Sequence, residues 1–123
     1  MGQFDSIKIH KDKLPLTDDI KKGIFWDDDD KAIFQTKDLE LNSYLFEITK
    51  DDRLRLFISN QYVYLDKFTG KFKFYITIGG SGLLAPKRYL GDYKWLEFEA
   101  TFEDGIMMDL VFDEDIYKYG KKF

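Results

Sequence analysis

Tyr44-Leu45-Phe46-Glu47-Ile48-Thr49-Lys50-Asp51-Asp52-Arg53-Leu54-Arg55-Leu56-Phe57-Ile58 is the stretch on which the reading of this chain turns. Apolar side chains recur at every second position on both sides of a polar centre, which is the period of a strand. Tyr44, Phe46 and Ile48 share a face with Leu54, Leu56 and Ile58, while Glu47, Thr49, Arg53 and Arg55 point the other way. A three-residue loop of Lys50, Asp51 and Asp52 pairs 48 with 54, 46 with 56 and 44 with 58, and sets Glu47 across from Arg55. A slip of one residue would break both matches, so the side chains themselves specify the register.

The alternation continues outward from this hairpin. With Ser59-Asn60-Gln61 as the next loop, Tyr62 and Tyr64 join the inner row. Asp66 to Gly70 then closes a further hairpin in which Tyr64 meets Phe72 and Tyr62 meets Phe74, giving a four-strand antiparallel meander over 44–78. Leu45, Phe57, Val63, Leu65 and Tyr75 interrupt the charges on its outer face. Such a face is either covered by the rest of the chain or used as a contact, and a homodimer closed by a two-fold axis is the commonest contact of that kind.

A second hairpin occupies 93–113. Glu103, Asp104 and Gly105 in its loop pair Phe102 with Ile106, Ala100 with Met108, Phe98 with Leu110 and Leu96 with Phe112, with Gly105 at a position that requires positive φ. The opposite face brings Glu99 against Asp109, with Glu97 adjacent, and like charges so placed cost stability. Gly79-Gly80-Ser81-Gly82 and Pro86 mark 79–92 as a connection. Residues 1–43 are an irregular N-terminal segment with short strand signals at Ile7 and Ile9, at Ala32-Ile33-Phe34 and at Leu39-Glu40-Leu41. Thr17-Asp18-Asp19 followed by Gly23 has the cap and terminus of a single helical turn. The expected fold is a single domain over 1–123, all-β or β-dominated α+β, in which the meander and the C-terminal hairpin form a small sandwich or open barrel. Its expected core holds Phe46, Leu56, Tyr64, Phe74, Phe98 and Met108.

Composition bounds the chemistry. The 123 residues, 44% apolar and 34% charged, suffice for one core. Nineteen basic and 23 acidic side chains leave a net charge of -4, against the uniformly basic character of a duplex-coating protein. There is no cysteine and one histidine, His10, so thiolate chemistry, cysteine-ligated zinc and the usual catalytic triads lack their residues. No cofactor or metal is expected. No apolar run reaches the ~18–20 residues of a spanning helix, and the N-terminus lacks the grammar of an export signal, so the expected location is the cytoplasm, with no membrane partner.

Three charged groups stand out. Asp27, Asp28, Asp29 and Asp30 lack the spacing of a calcium loop and read as a solvated acidic loop, or functionally as a protein-binding or nucleic-acid-mimicking patch. Glu99 and Asp109 are the one carboxylate pair that the hairpin register positions, the requirement of a small carboxylate-dependent hydrolase. Lys67, Lys71, Lys73, Lys87 and Arg88, with Tyr75 among them, have the outline of a single-stranded nucleic-acid platform in which lysines contact phosphates and the ring stacks a base. Ser81 lies in neither a nucleophile elbow nor a phosphate loop.

Met1-Gly2-x-Phe4-Asp5, the Leu14-Pro15-Leu16 step and Phe34-Gln35-Thr36-Lys37-Asp38-Leu39, followed by Tyr44-x-Phe46-x-Ile48 and Leu54, resemble a group of small, mostly uncharacterised phage-encoded proteins. The likeness covers roughly residues 1–56; the chain departs from it with an insertion around Asp27–Asp30 and with Asp51-Asp52 in place of an Asp-Gly turn. The resemblance implies a viral origin and an early accessory role in the cytoplasm of a bacterial host, with no chemistry to carry over. The functional expectation is thus a non-enzymatic protein that binds a host or phage protein. Its interface candidates are the four aspartates with Glu97, Glu99 and Asp109 for steering, and Leu45, Phe57, Val63 and Tyr75 for apolar contact. Single-stranded nucleic-acid binding is the alternative, and the hydrolase a weaker one.

Overall fold

The computed structural model describes residues 4–40, 43–78 and 94–114. Among these residues eight strands form one open, mixed sheet in the order β5-β4-β3-β1-β2-β6-β7-β8. They are β1 Asp5–His10, β2 Lys31–Thr36, β3 Leu45–Ile48, β4 Leu54–Ile58, β5 Gln61–Tyr64, β6 Gly70–Ile78, β7 Lys94–Glu103 and β8 Ile106–Phe112. The fold is β-dominated, as the alternation predicts. The first hairpin has the expected register, with Ile48 opposite Leu54, Phe46 opposite Leu56 and Glu47 opposite Arg55. Asp52 takes the left-handed position of its loop, at φ 65°.

The N-terminal segment is far from peripheral. Instead of covering the meander, it supplies the two strands at the middle of the sheet: β1 pairs in parallel with β3 and antiparallel with β2. Ile7 and Ile9 are fully buried between the two neighbours, and Asp5 Oδ1 accepts a 2.9 Å hydrogen bond from Tyr44 N, pinning the entry of β3 beside β1. Between β1 and β2 the chain makes a 3-10 turn, Lys11–Lys13, and the expected single helical turn α1, Asp18–Lys21, capped by Thr17. Leu14 and Ile24 from this excursion are buried in the core, while Leu39, expected in a short strand, packs against it from outside any strand.

The meander has three strands, not four. β5 pairs only with β4 among the described residues, whereas β6 pairs with β2 and β7, so Tyr64 and Tyr62 do not meet Phe72 and Phe74. The β4–β5 loop is two residues, Ser59 and Asn60, both left-handed at φ 52° and 63°. Ile58 therefore faces Gln61, and the register differs by one residue from that expected. The shift turns Val63 to the inner side and both tyrosines to the outer side, where Arg53 lies 3.7 Å from the Tyr64 ring centre and Arg55 3.7 Å from that of Tyr62. Tyrosine rings that would crowd an apolar row are instead held by guanidinium groups diagonal to them.

The last hairpin also turns on two residues, Asp104 and Gly105, at φ 50° and 79°. A bulge beside Thr101/Phe102 restores the inner pairing of Ala100 with Leu110, but brings Phe98 against Phe112 and leaves Met108 exposed. Of the expected core, Phe46, Phe74 and Phe98 are buried and Leu56 is half-buried, while Tyr64 and Met108 are exposed. Glu99 faces Val111 and Asp109 faces Thr101, so the acidic pair inferred across the hairpin does not form.

Between β2 and β6 the ladder holds a single register pair, Gln35 with Tyr75. The sheet there divides into a five-strand and a three-strand part that share one phenylalanine core. Phe34, from the first part, meets Phe74 and Phe98 of the second edge-on at 5.3 and 5.7 Å. The far side of the core is joined by the β7–β8 tip: Gly105 N donates to Phe68 O at 2.8 Å and Gly105 O accepts from Leu54 N at 3.2 Å, while Met107 N donates to Asp52 O at 2.7 Å.

On the outer face Glu47 is only 2% exposed. Burial raises its pKa, but hydrogen bonds from Lys31 Nζ (2.6 Å) and from Arg55 Nε and Nη2 (2.9 and 2.6 Å), with the charges behind them, outweigh burial and hold the carboxyl below its ordinary 4.5. A carboxyl shifted down in the folded state stabilises fully above 4.5, and that contribution is lost as pH falls through the lower folded value. Glu47→Gln is expected to cost about 2–3 kcal/mol near neutral pH, Lys31 and Arg55 keeping partial access to water. Denaturation across a pH series should show the difference from wild type shrinking once pH drops below 4.5. At Gly105 a Cβ would stand 2.7 Å from both Asp66 Cα and Leu65 O, on a backbone at φ +79°. Gly105→Ala should therefore destabilise by about 2 kcal/mol or more in thermal or chemical denaturation.

Candidate functional site

The division of the sheet opens a groove on its outer surface. β2 and β6 share one register pair, Gln35 with Tyr75, and beside it Thr36 Oγ1 donates to Lys73 O at 2.6 Å and Lys73 N donates to Asp38 Oδ2 at 2.8 Å. Strand alternation brings Tyr75, Trp95 and Glu97 to this surface. The Tyr75 and Trp95 rings stack at 4.6 Å with 14° between their planes, and Trp95 Nε1 donates to Glu97 Oε1 at 3.0 Å. One cavity of about 310 Å³ is lined by Lys37, Asp38, Lys73, Tyr75, Trp95 and Glu97. A second, of about 240 Å³, continues along Ile33, Gln35 and Thr77 on the other side of the same two rings. A third, of about 470 Å³, adjoins Glu97 and reaches Glu99, Asp113 and Glu114. Burial, then the charges of Glu97 and Asp38, push the Tyr75 phenol above its usual pKa, so it remains a protonated donor at neutral pH.

The β4–β5 edge is the other exposed feature. Every residue of Gln61–Tyr64 is exposed. Leu65 N donates to Leu54 O, which fixes the ladder phase: Val63 points its backbone groups at Leu56, and Tyr62 and Tyr64 point theirs away from β4 along the open edge. Phe57, packed on Tyr62 at 5.0 Å, and the two arginine-tyrosine contacts give this edge a dense aromatic surface.

The residues singled out in the sequence divide between these features. Phe57, Leu45, Tyr75 and Glu97 lie on one outer row that crosses the sheet through Ser6 and Gln35. Leu45 and Tyr75 are half-buried, and Val63 belongs to the inner side, so the four apolar residues do not make one outward patch. Lys73 and Glu97, assigned to opposite functions, stand 3.9 Å apart in one site. Lys67 and Lys71 are exposed, while Lys87 and Arg88 lie outside the described residues. Glu99 is on the outer face beside Glu97, and Asp109 is exposed on β8. Asp27–Asp30 form the turn into β2, where Asp27 Oδ1 accepts 2.9 Å hydrogen bonds from both Asp29 N and Lys31 N. These backbone bonds hold the Asp27 carboxyl below the usual range, so its main contact is with its own turn. His10 is buried at the end of β1, its Nδ1 accepting from Asp12 N at 3.0 Å. No three His, Asp or Glu side chains converge as a metal site among the described residues.

Trp95, Gln35, Lys37 and Asp38 had no place in the sequence-based site. Trp95 was findable, since it shares a strand face with Glu97 at a spacing of two. The other three depend on β2 and β6 being neighbours, a pairing without local signal. Asp27→Ala should accelerate amide exchange at Asp29 and Lys31, whereas Asp28→Ala should leave both amides at their wild-type rates, as read by hydrogen-exchange NMR. Comparison with protein-family models, with curated proteins and with solved structures finds no match.

Proposed function

We propose that the protein is a non-enzymatic binding module that takes up an extended segment of a partner protein along β5. The observation that carries this reading is the edge itself. Gln61–Tyr64 is a regular strand, exposed at every residue, with no proline, lysine or bulge of the kind that blunts an edge. A strand added there gains main-chain hydrogen bonds from Tyr62 and Tyr64, and its side chains alternate between the Phe57 and Tyr62 surface outside and the Ile58 and Val63 surface inside. Aromatic and arginine side chains are the residues that dominate binding energy at such contacts. The likeness of residues 1–56 to phage-encoded proteins makes the partner a host or phage protein, met in the bacterial cytoplasm. The acidic turn at Asp27–Asp30 and the carboxylates Glu97, Glu99 and Asp109 then act on association rate and selectivity.

A proline at position 64 removes an amide that points away from β4, so it blocks strand addition and spares the existing ladder. Affinity capture from bacterial lysate is expected to retain a partner after nuclease treatment, with Tyr64→Pro lowering recovery about tenfold and Tyr64→Phe holding the wild-type level. Circular dichroism of Tyr64→Pro should remain that of the wild type. Equal recovery by the proline variant would remove β5 from the interface, and loss of all captured material on nuclease treatment would favour nucleic-acid binding.

A further inference from the structure

The outer groove at the β2–β6 division has a composition that strand addition at β5 does not use. We infer that it is a binding site for a neutral saccharide, seated against the stacked Tyr75–Trp95 pair. The argument starts from charge. Two ammonium groups, Lys37 and Lys73, and two carboxylates, Asp38 and Glu97, line the cavity around the rings, so their formal charges cancel. An anion is disfavoured further by Glu99, Asp113 and Glu114 in the adjoining cavity, and a cation meets the two lysines at the aromatic pair itself. Neither sign of charge prevails at the rings themselves, so a neutral ligand fits there, while the acidic cavity beside it works against anions.

The same residues are rich in directional groups. Carboxylates accept hydrogen bonds and ammonium groups donate them, while the Tyr75 phenol donates or accepts and the Gln35 amide does both. A ligand that satisfies such a mixture carries many hydroxyls, each able to donate and accept. The rings supply a flat apolar surface, which suits the C–H face of a pyranose ring. Cavities lie on both sides of the ring pair, at about 310 and 240 Å³, so the site extends beyond a single ring and the class includes short oligosaccharides. Trp95 is oriented by its hydrogen bond to Glu97 and by its stack on Tyr75, so the platform is formed before the ligand arrives.

The test uses the two tryptophans as reporter and control. Trp95 lies in the groove, and Trp26 lies elsewhere, donating from Nε1 to Lys21 O. Indole N–H resonances of the full chain are followed while maltotetraose, cellotetraose, chitotetraose and a galactotetraose are added, with spermine and a short oligothymidylate as charged comparisons. At least one neutral oligosaccharide is expected to shift the Trp95 resonance saturably with Kd below about 10 mM, Trp26 staying in place. That Kd should change less than about twofold between low and high salt. Tyr75→Ala should weaken binding at least about tenfold. Should that variant lose its fold, Gln35→Ala, which removes only an exposed amide from the rim, is expected to weaken binding measurably in its place. No saturable Trp95 shift with any of the four sugars, or saturation by spermine or oligothymidylate instead, overturns the inference. Either result leaves strand addition at β5 untouched, because Tyr64→Pro is read on a separate surface.

Discussion

The approach of Gly105 to the chain between Leu65 and Phe68 is the contact on which the two parts of the sheet depend. The β2–β6 ladder holds one register pair, supplemented by the hydrogen bonds of Thr36 and Asp38 to Lys73. The β7–β8 tip adds a second tie by lying between Asp52–Leu54 and Leu65–Phe68 and hydrogen-bonding to both. Only a residue without a side chain fits where backbone stands 2.7 Å from a would-be Cβ. With the tip seated, the phenylalanines of the two parts close on one another. Phe34 of the five-strand part stands edge-on to Phe74 and Phe98 at 5.3 and 5.7 Å, and those two rings stack on each other at 5.4 Å within the three-strand part. The hinge line is fixed at the same time, and so is the groove outside it.

Charge on the outer face is handled by pairing. Glu47 joins β2 to β4 across two intervening strands by holding Lys31 and Arg55 at once. Arg55 in turn lies over Tyr62 and donates to Tyr64 at 3.3 Å. The aromatic edge at β5 is therefore coupled to a buried carboxylate in mid-sheet. Of the basic residues that look available for phosphate in the sequence, Lys73 stands 3.9 Å from Glu97, while Lys67 and Lys71 are exposed.

Local features were legible in the sequence and distant ones were not. The Tyr44–Ile58 hairpin could be read because two apolar rows and the Glu47–Arg55 pair agree on one register. The Ser59-Asn60 turn is less legible because a three-residue loop keeps Tyr62 and Tyr64 in the inner row; the energy of an arginine over a tyrosine face, which favours the outside, has no periodicity to reveal it. Asp104-Gly105 was misread for a related reason, since a bulge further along β8 restores the apolar phase that a two-residue loop displaces. The groove was least legible of all. Its six lining residues around the rings come from 37–38, 73–75 and 95–97, segments whose adjacency rests on one bridge and on the hydrogen bonds of Thr36 and Asp38 to Lys73.

The parallel pairing of β1 with β3 has a further meaning for how the chain is assembled. β1 comes first in the sequence yet lies fourth from one edge of the sheet, flanked by strands from later segments. The pairings within the β3–β4–β5 meander join near neighbours in the sequence, whereas β1 is satisfied only once β2 has turned back on one side and β3 has arrived on the other. The order of synthesis and the order of consolidation therefore differ. A mid-sheet strand thus waits for both of its neighbours, and its alternation of Ile7 and Ile9 with Ser6, Lys8 and His10 keeps a charge on the waiting segment that an unbroken apolar run would lack.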